Sequence, residues 1–379
     1  MKVLYCGVYR DGTGWGQAAI DYILSLDAAG IDVVPRPVKL NNSSHNLPLR
    51  ITQLEQKLSS GCDVVIQHVL PNMMAYNGRM KNIGLFASET SHFRGSGWAD
   101  YLNMMDEVWV INNQQVEACK KSGVKHTPKV IPHATNIERF QQTYKPLSTL
   151  EHFKKQNQFV FYTIGEYVRR KNVMAMVKAF HLEFYPEEPV QLVLKVNIPG
   201  LTNEQCKASV EEDCRRVKEG LKLKGCKQET VIVDRLSDEG IMRLHAAGDV
   251  FVSSSTGEAW SIPAFDAMAM GKTPIVTNCG GFPDYLSDQE GWLVQSHQEP
   301  CFGVTDSVQG LYLGDELWNQ IDISHLRSCM REAFTNFSLR QAKTINSLTK
   351  AYDFSYSEIG AQMKAVLSNG ENMAGTARQ

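Results

Sequence analysis

The sequence predicts a two-domain α/β chain, and three observations carry that reading. Short apolar runs alternate with helical segments from end to end, as at Lys2–Tyr9 followed by Ala18–Leu26. Such alternation builds parallel sheets flanked by helices. A length of 379 residues is enough for two domains of ordinary size, each with its own core. Glycine and polar residues gather where strands hand over to helices, which is where open α/β sheets collect ligands.

Composition bounds the function. Hydrophobic residues at 43% and charged residues at 21% fit a soluble globular protein. A formal charge of −2 supplies no general basic field for nucleic acid or an anionic membrane. No apolar run approaches the roughly 18 residues that a membrane span needs. The start, Met1–Cys6, reads as a short strand and lacks the long apolar region of a signal peptide. Nine scattered cysteines without a CxxC pair fit reduced thiols, so a cytoplasmic location is expected, with no zinc site and no disulfide framework.

The first strand, Lys2–Tyr9, leads into Gly12, Gly14, Trp15 and Gly16 and then a helix with Ala18, Ala19, Tyr22, Ile23 and Leu26 on its apolar positions. Three alternate glycines before a helix fit either a backbone-lined cradle for a phosphate or acceptor, or a plain tight turn. Their spacing is not the GxGxxG of a dinucleotide site. Ile31–Pro35 is a second strand, Asn41–Pro48 a loop and Ile51–Leu58 a helix. Asp63–His68 is a buried strand ending on His68, and Asn82–Thr90 another, with Glu89, His92 and Arg94 at or beyond its end. Residues beyond carboxyl ends handle ligands in such sheets, so Glu89, His92 and His68 are candidates on the acceptor side. Trp98–Met105 and Gln114–Ser122 read as helices, Asp106–Ile111 and Lys129–His133 as strands. Gln114–Lys125, with Lys120, Lys121 and Lys125, is the candidate for docking at a membrane surface.

Phe159–Gly165 opens the second half, followed by Glu166 and the cations Arg169, Arg170 and Lys171, then a helix over Val173–Phe184. Three consecutive cations at a strand-to-helix turn can neutralise a diphosphate. Lys195 and Asn197 end the strand from Val190. Thr202–Leu221 is a charged amphipathic helix, Val231–Val233 a strand, and Ser237 or Asp238 caps the helix Glu239–Ala247. Val250–Val252 is a strand that breaks at Ser253–Gly257, with Glu258 next, a helix over Ala264–Met270 and Gly271 as its stop. Pro263 sits in the first turn, where a missing N–H costs nothing. The free N–H groups of Ala259, Trp260, Ser261 and Ile262 suit an anion, and Glu258 and Asp266 can accept sugar hydroxyls. Thr273–Thr277 and Gly291–Val294 are strands; His325–Phe334 and Tyr356–Leu367 are helices; Gly370–Gln379 is a small, polar tail expected to fray.

The stretch from Glu258 through Asp266-Ala-Met-Ala-Met-Gly-Lys-Thr-Pro-Ile-Val276 resembles the donor-binding signature of family 4 retaining glycosyltransferases. Further likeness lies in Val130-Ile-Pro-His133 with Phe140, and in the segment from Leu236 to Asp249. This chain departs at Ala259, where the family has glycine, and at Asp266, where it has glutamate. It departs again at Glu166, where relatives commonly carry arginine. The resemblance implies the GT-B architecture, two Rossmann-like domains facing an interdomain cleft. The expected division is 1–147 for the acceptor domain, joined by a C-terminal helix over 355–379, and 148–354 for the donor domain.

It further implies a retaining, metal-independent hexosyltransferase without cofactor, moving sugar from a UDP-sugar, or secondly GDP-mannose, to a hydroxyl acceptor. Glu258, Arg170, Lys171, Glu89 and His92 are the expected catalytic group. Arg169 or Arg170 meets the diphosphate, Lys195 lies near the nucleotide, and Asp266 reaches the ribose. The acceptor would be a small molecule, glycan or lipid-linked molecule, on an enzyme that does not insert stably into membranes but could lie at a membrane's periphery. Three other readings share these pieces: a sugar epimerase or phosphorylase, a non-catalytic sugar-nucleotide binder, and a transferase acting on modified DNA bases. Near-neutral charge weighs against the last.

Overall fold

The computed structural model describes residues 1–40, 46–304 and 308–374. The loop expected at Asn41–Pro48 therefore lies outside the described residues over 41–45, as does the tail over 375–379. Contacts divide the chain into two compact units. One comprises Met1–Ile137, Asp306–Glu316 and Tyr352–Gln379, less the residues not described; the other comprises Glu138–Thr305, likewise, and Leu317–Ala351. The division falls after Ile137, and two pieces of the C-terminal half return to the first unit.

The first unit is built on a six-stranded parallel sheet, β1 (Lys2–Gly7), β2 (Asp32–Pro37), β3 (Val64–His68), β4 (Lys81–Phe86), β5 (Glu107–Val110) and β6 (Lys129–Val130). Its order is β2-β1-β3-β4-β5-β6. Buried strands read as near-continuous apolar runs here because helices cover both faces. β4 and β6 stop furthest short of the ends that the sequence pattern implies. β4 stops at Phe86 because its partner β5 ends opposite it, at Val110. β6 stops at Val130, and Pro132 just beyond has no N–H to continue a ladder. The helix Gly14–Ala28 packs against the C-terminal helix Tyr356–Ala374: Tyr356 Oη donates to Asp21, Lys364 Nζ donates to the Ala29 carbonyl, and Gly360 sits against the Ser25 carbonyl.

The second unit repeats the design with β7 (Phe159–Glu166), β8 (Val190–Asn197), β9 (Thr230–Ile232), β10 (Val250–Ser253), β11 (Pro274–Thr277) and β12 (Trp292–Val294), in the order β12-β11-β10-β7-β8-β9. Its core joins Phe161, Leu192 and Val252 of the sheet to Phe180, Val210 and Met330 of the covering helices. The helix Asn203–Leu221 starts on a capping box, with Thr202 and Gln205 satisfying each other's backbone N–H groups. A hairpin of β13 (Ser296–Pro300) and β14 (Leu317–Ile321) and a helix over Phe337–Ala351 also form, neither expected from periodicity. Among the described residues no helix is long and apolar enough to cross a membrane.

Candidate functional site

Sheet order places the candidate sites. Strand order reverses in the second sheet between β7 and β10, and a ligand crevice opens at the carboxyl ends of strands beside such a reversal. A pocket lies at that point, lined by Gly165, Glu166, Lys171, Ser255, Glu258 and Ser261 among others. Most of these residues follow β7 or β10, so the sheet itself brings the cationic turn to the donor-type loop.

Hydrogen bonds then fasten turn to loop. The Thr256 backbone N–H donates to the Arg170 carbonyl at 2.8 Å, and Ser254 Oγ donates to the Asn172 carbonyl at 2.8 Å. Arg170 Nη1 donates to the Gly257 carbonyl at 2.6 Å and to Glu258 Oε2 at 3.3 Å. Lys171 Nζ reaches Glu258 Oε1 at 2.5 Å, and Ser255 Oγ donates to the same oxygen at 2.7 Å. Glu258 is buried. Burial alone pushes its carboxyl up, but Lys171 and Arg170, with the Lys171 and Ser255 hydrogen bonds, outweigh it and hold the group below the usual carboxylate range. Glu258 is thus a fixed anion with two cations partly open to solvent on one side. Ser255 was not among the residues picked from the sequence; the serine run closing β10 was the available signal.

Ser261 lines the same pocket with φ of +70°, a left-handed backbone that is rare for a residue with a Cβ. Such strain collects at ligand sites. The helix Ile262–Ala269 follows, with Pro263 in its first turn. The two aromatic neighbours do structural work. Trp260 is buried against Tyr285 at 4.7 Å between ring centroids, and Tyr285 Oη donates to the Trp260 carbonyl.

Three residues expected at the donor do not line this pocket. Arg169 turns away from the pocket and lies over the rings of Phe302 and Trp318, at 4.6 and 6.0 Å. Lys195 is buried within β8, where loss of water lowers its pKa, and it does not line the pocket. Asp266 also lies off the pocket, buried beside Arg139, whose Nη2 is 3.4 Å from Oδ2, while Oδ1 has no hydrogen-bond partner among the described residues. Sequence spacing could not show this, because Arg139 is 127 positions away.

Burial drives the Asp266 pKa from 3.8 to about 6, and the Arg139 charge offsets only part of that. The ion pair therefore fails to repay desolvation. A raised native pKa means the folded state binds the extra proton, so stability falls as pH rises from about 4 to about 6. Asp266→Asn, which carries no charge, is expected to gain on wild type across that window by about 3 kcal/mol. Chemical denaturation at pH 4.5 and 7.5, which spans about 2 kcal/mol of that gain, checks this; a difference independent of pH would contradict it.

In the first unit the order reverses between β1 and β3, which brings the glycine loop beside His68. Trp15 stacks on the His68 ring at 5.5 Å and 20°. His68 is buried, its Nδ1 bonded to Tyr5 Oη at 2.8 Å and its Nε2 without a partner among the described residues. Burial lowers its pKa to about 3, so it stays neutral at ordinary pH. Gly16 is required by packing, since a Cβ there would lie 1.9 Å from the Asp11 carbonyl oxygen. Its N–H is taken by Thr13 Oγ1, so it offers no donor to an anion; Gly14 faces open space. Gly12 lies in the exposed turn ahead of the helix. Glu89 and His92 follow β4 in one loop. His92 is buried with Nε2 at 3.2 Å from the Asp315 carbonyl, and Glu89 accepts from Tyr312 Oη at 3.2 Å.

Residues 148–300 match the family described as Glycosyl transferases group 1. No curated protein matches the sequence. Solved structures match at low identity over nearly the whole chain. Sucrose-phosphate synthase from Thermosynechococcus elongatus is 14% identical, with a TM-score of 0.66 over 98% of this chain and 100% of that one. Anabaena HepE in complex with UDP and glucose is 14% identical, with a TM-score of 0.68 over 97% and 99%. An E. coli trehalose-6-phosphate structure bound with UDP-2-fluoro glucose is 9% identical, with a TM-score of 0.68 over 97% and 99%. Two six-stranded parallel sheets in this company make the fold GT-B.

Proposed function

We propose, from the match of residues 148–300 to glycosyl transferases group 1, that this chain transfers a sugar from a nucleotide-sugar donor to a hydroxyl acceptor with retention at the anomeric carbon. The observation that carries the reading is the buried Glu258 held by Lys171 and Arg170 at the strand-order reversal of the second sheet. A UDP-sugar is the favoured donor, because HepE is seen with UDP and glucose and the E. coli structure with UDP-2-fluoro glucose. GDP-mannose is second.

In this reading the diphosphate lies against Lys171, Arg170 and the N-terminal turn of the helix Ile262–Ala269, including the backbone at Ser261 and Ile262. Arg170 takes that part rather than Arg169, which is committed to Phe302 and Trp318. Glu258 accepts hydroxyl protons of the sugar. As the bond from the anomeric carbon to the phosphate oxygen breaks, charge grows on the diphosphate, and fixed cations facing it favour that change. The acceptor oxygen bonds to the same face, and its proton passes to the departing phosphate oxygen. Glu89, His92 and the Trp15–His68 pair form the acceptor side. Arg and Lys supply the positive charge, so no metal or cofactor is assigned. Nine thiols without disulfides support a reducing, cytoplasmic setting. The acceptor is a small molecule, a glycan or a lipid-linked molecule.

Proton NMR of UDP-glucose incubated with the protein and a panel of sugar acceptors tests the reading. An α-linked product with release of UDP is expected; a β-linked product would overturn retention, and an unchanged donor would overturn the choice of UDP-glucose.

A further inference from the structure

Residues 308–316 belong to the first unit although they connect two strands of the second, β13 and β14. Three sets of contacts seat this segment on the loop after β4. Val308 and Leu311 pack against the cluster containing Phe86, Phe93 and Trp98. Gly310 meets Gly95 so closely that a Cβ on Gly310 would lie 2.2 Å from the Gly95 carbonyl oxygen, and one on Gly95 would lie 2.5 Å from Leu313 Cδ1. Tyr312 Oη donates to Glu89, while the Asp315 carbonyl faces His92 Nε2.

The last pair is informative. A carbonyl oxygen can only accept, so His92 must carry its proton on Nε2 and give it to the segment. Arg94 N–H approaches Nδ1 at 3.5 Å, which agrees with that tautomer. Glu89 and His92, two of the side chains assigned to the acceptor side, are therefore engaged by a single stretch of nine residues. The phenol of Tyr312 presents to Glu89 the same group, a hydroxyl donor, that a sugar acceptor would present. Tyr312 does so from φ of +58°, a backbone that a bulky residue adopts only when its surroundings hold it there. Glu316, which is buried, closes the turn by accepting from the Leu313 N–H at 2.7 Å, and its Oε1 has no partner among the described residues.

We propose that residues 308–316 form an autoinhibitory strap in which the Tyr312 hydroxyl occupies the acceptor hydroxyl's place on Glu89. An incoming acceptor exchanges its own hydroxyl for that of Tyr312 and releases His92 from Asp315. The proposal rests on the glycosyltransferase reading given above. It sets the sign of a mutation that a structural role would set the other way.

Tyr312→Phe keeps the ring and removes the hydroxyl. Two readouts are taken: hydrolysis of UDP-glucose, with water as acceptor, and hydrogen–deuterium exchange of peptides covering 88–97 and 308–316. Expected are a rise in hydrolysis of roughly tenfold to 100-fold, from loss of one hydrogen bond to a carboxylate, and faster exchange in both peptides. Gly310→Ala, which forces the segment off Gly95, is expected to raise exchange in the same peptides. Unchanged exchange, or hydrolysis that falls or stays level while wild type turns over, would overturn the strap. Wild type that neither binds UDP nor consumes UDP-glucose would defeat the donor reading instead. In that case the exchange data still decide whether Tyr312 holds the segment down.

Discussion

Glu258→Gln is expected to lower donor turnover by roughly 100-fold to 1,000-fold while leaving UDP affinity undiminished. Glutamine keeps the shape and can still receive the Ser255 hydroxyl, but it no longer balances Lys171 and Arg170. Those cations stay available to a diphosphate, so product binding survives while the contact with the sugar weakens. Parallel measurements of kcat and UDP dissociation check this. Equal losses in both would reduce Glu258 to a structural anion. Stability should also fall. Removing one partner of a buried pair typically costs about 3–5 kcal/mol, and the partial exposure of both cations favours the low end.

Gly280→Ala is expected to produce the largest loss of stability in the second unit. Gly280 has φ of +57°, and a Cβ there would lie 1.8 Å from the Glu258 carbonyl oxygen. That same carbonyl accepts the Gly281 N–H at 2.9 Å, so the glycine turn after β11 is what holds the Glu258 backbone in place. The left-handed backbone alone costs alanine roughly 1–2 kcal/mol. Backbone displacement at the collision adds to it and brings the total to about 4 kcal/mol or more. A thermal melt should show a fall of roughly 10 °C. A melting temperature within about 2 °C of wild type would show that the turn does not press on Glu258.

What the sequence disclosed follows from which forces are local. Strands buried on both faces announced themselves as apolar runs, and Ser237 capped its helix as a hydroxyl beside free N–H groups should. The pairing of Lys171 with Glu258 was foreshadowed because each sits at a strand end that a parallel sheet brings together. The helix Phe337–Ala351 gave no such signal. Its buried positions include Lys343 and Ser347, whose polar ends donate to carbonyls of 288–291, so no apolar stripe marks it. β13 was hidden for the same reason, being a largely exposed strand of Ser-His-Gln-Glu-Pro. The burial of Asp266 against Arg139 and the seating of Tyr312 on Glu89 depend on residues 127 and 223 positions apart. No local pattern encodes either contact. Arg169 and Arg170 are adjacent and chemically alike, and only the rings of Phe302 and Trp318 tell them apart.

The most direct test is a thermal melt of wild type and Lys171→Ala against UDP, GDP and ADP. A ligand at about 100 times its dissociation constant adds roughly 2.7 kcal/mol to the folded state, which a melt resolves. A shift of wild type by UDP, lost in Lys171→Ala, is the predicted result. No shift with any nucleotide, or the same UDP shift in both proteins, would contradict a diphosphate site built on Lys171 and Glu258.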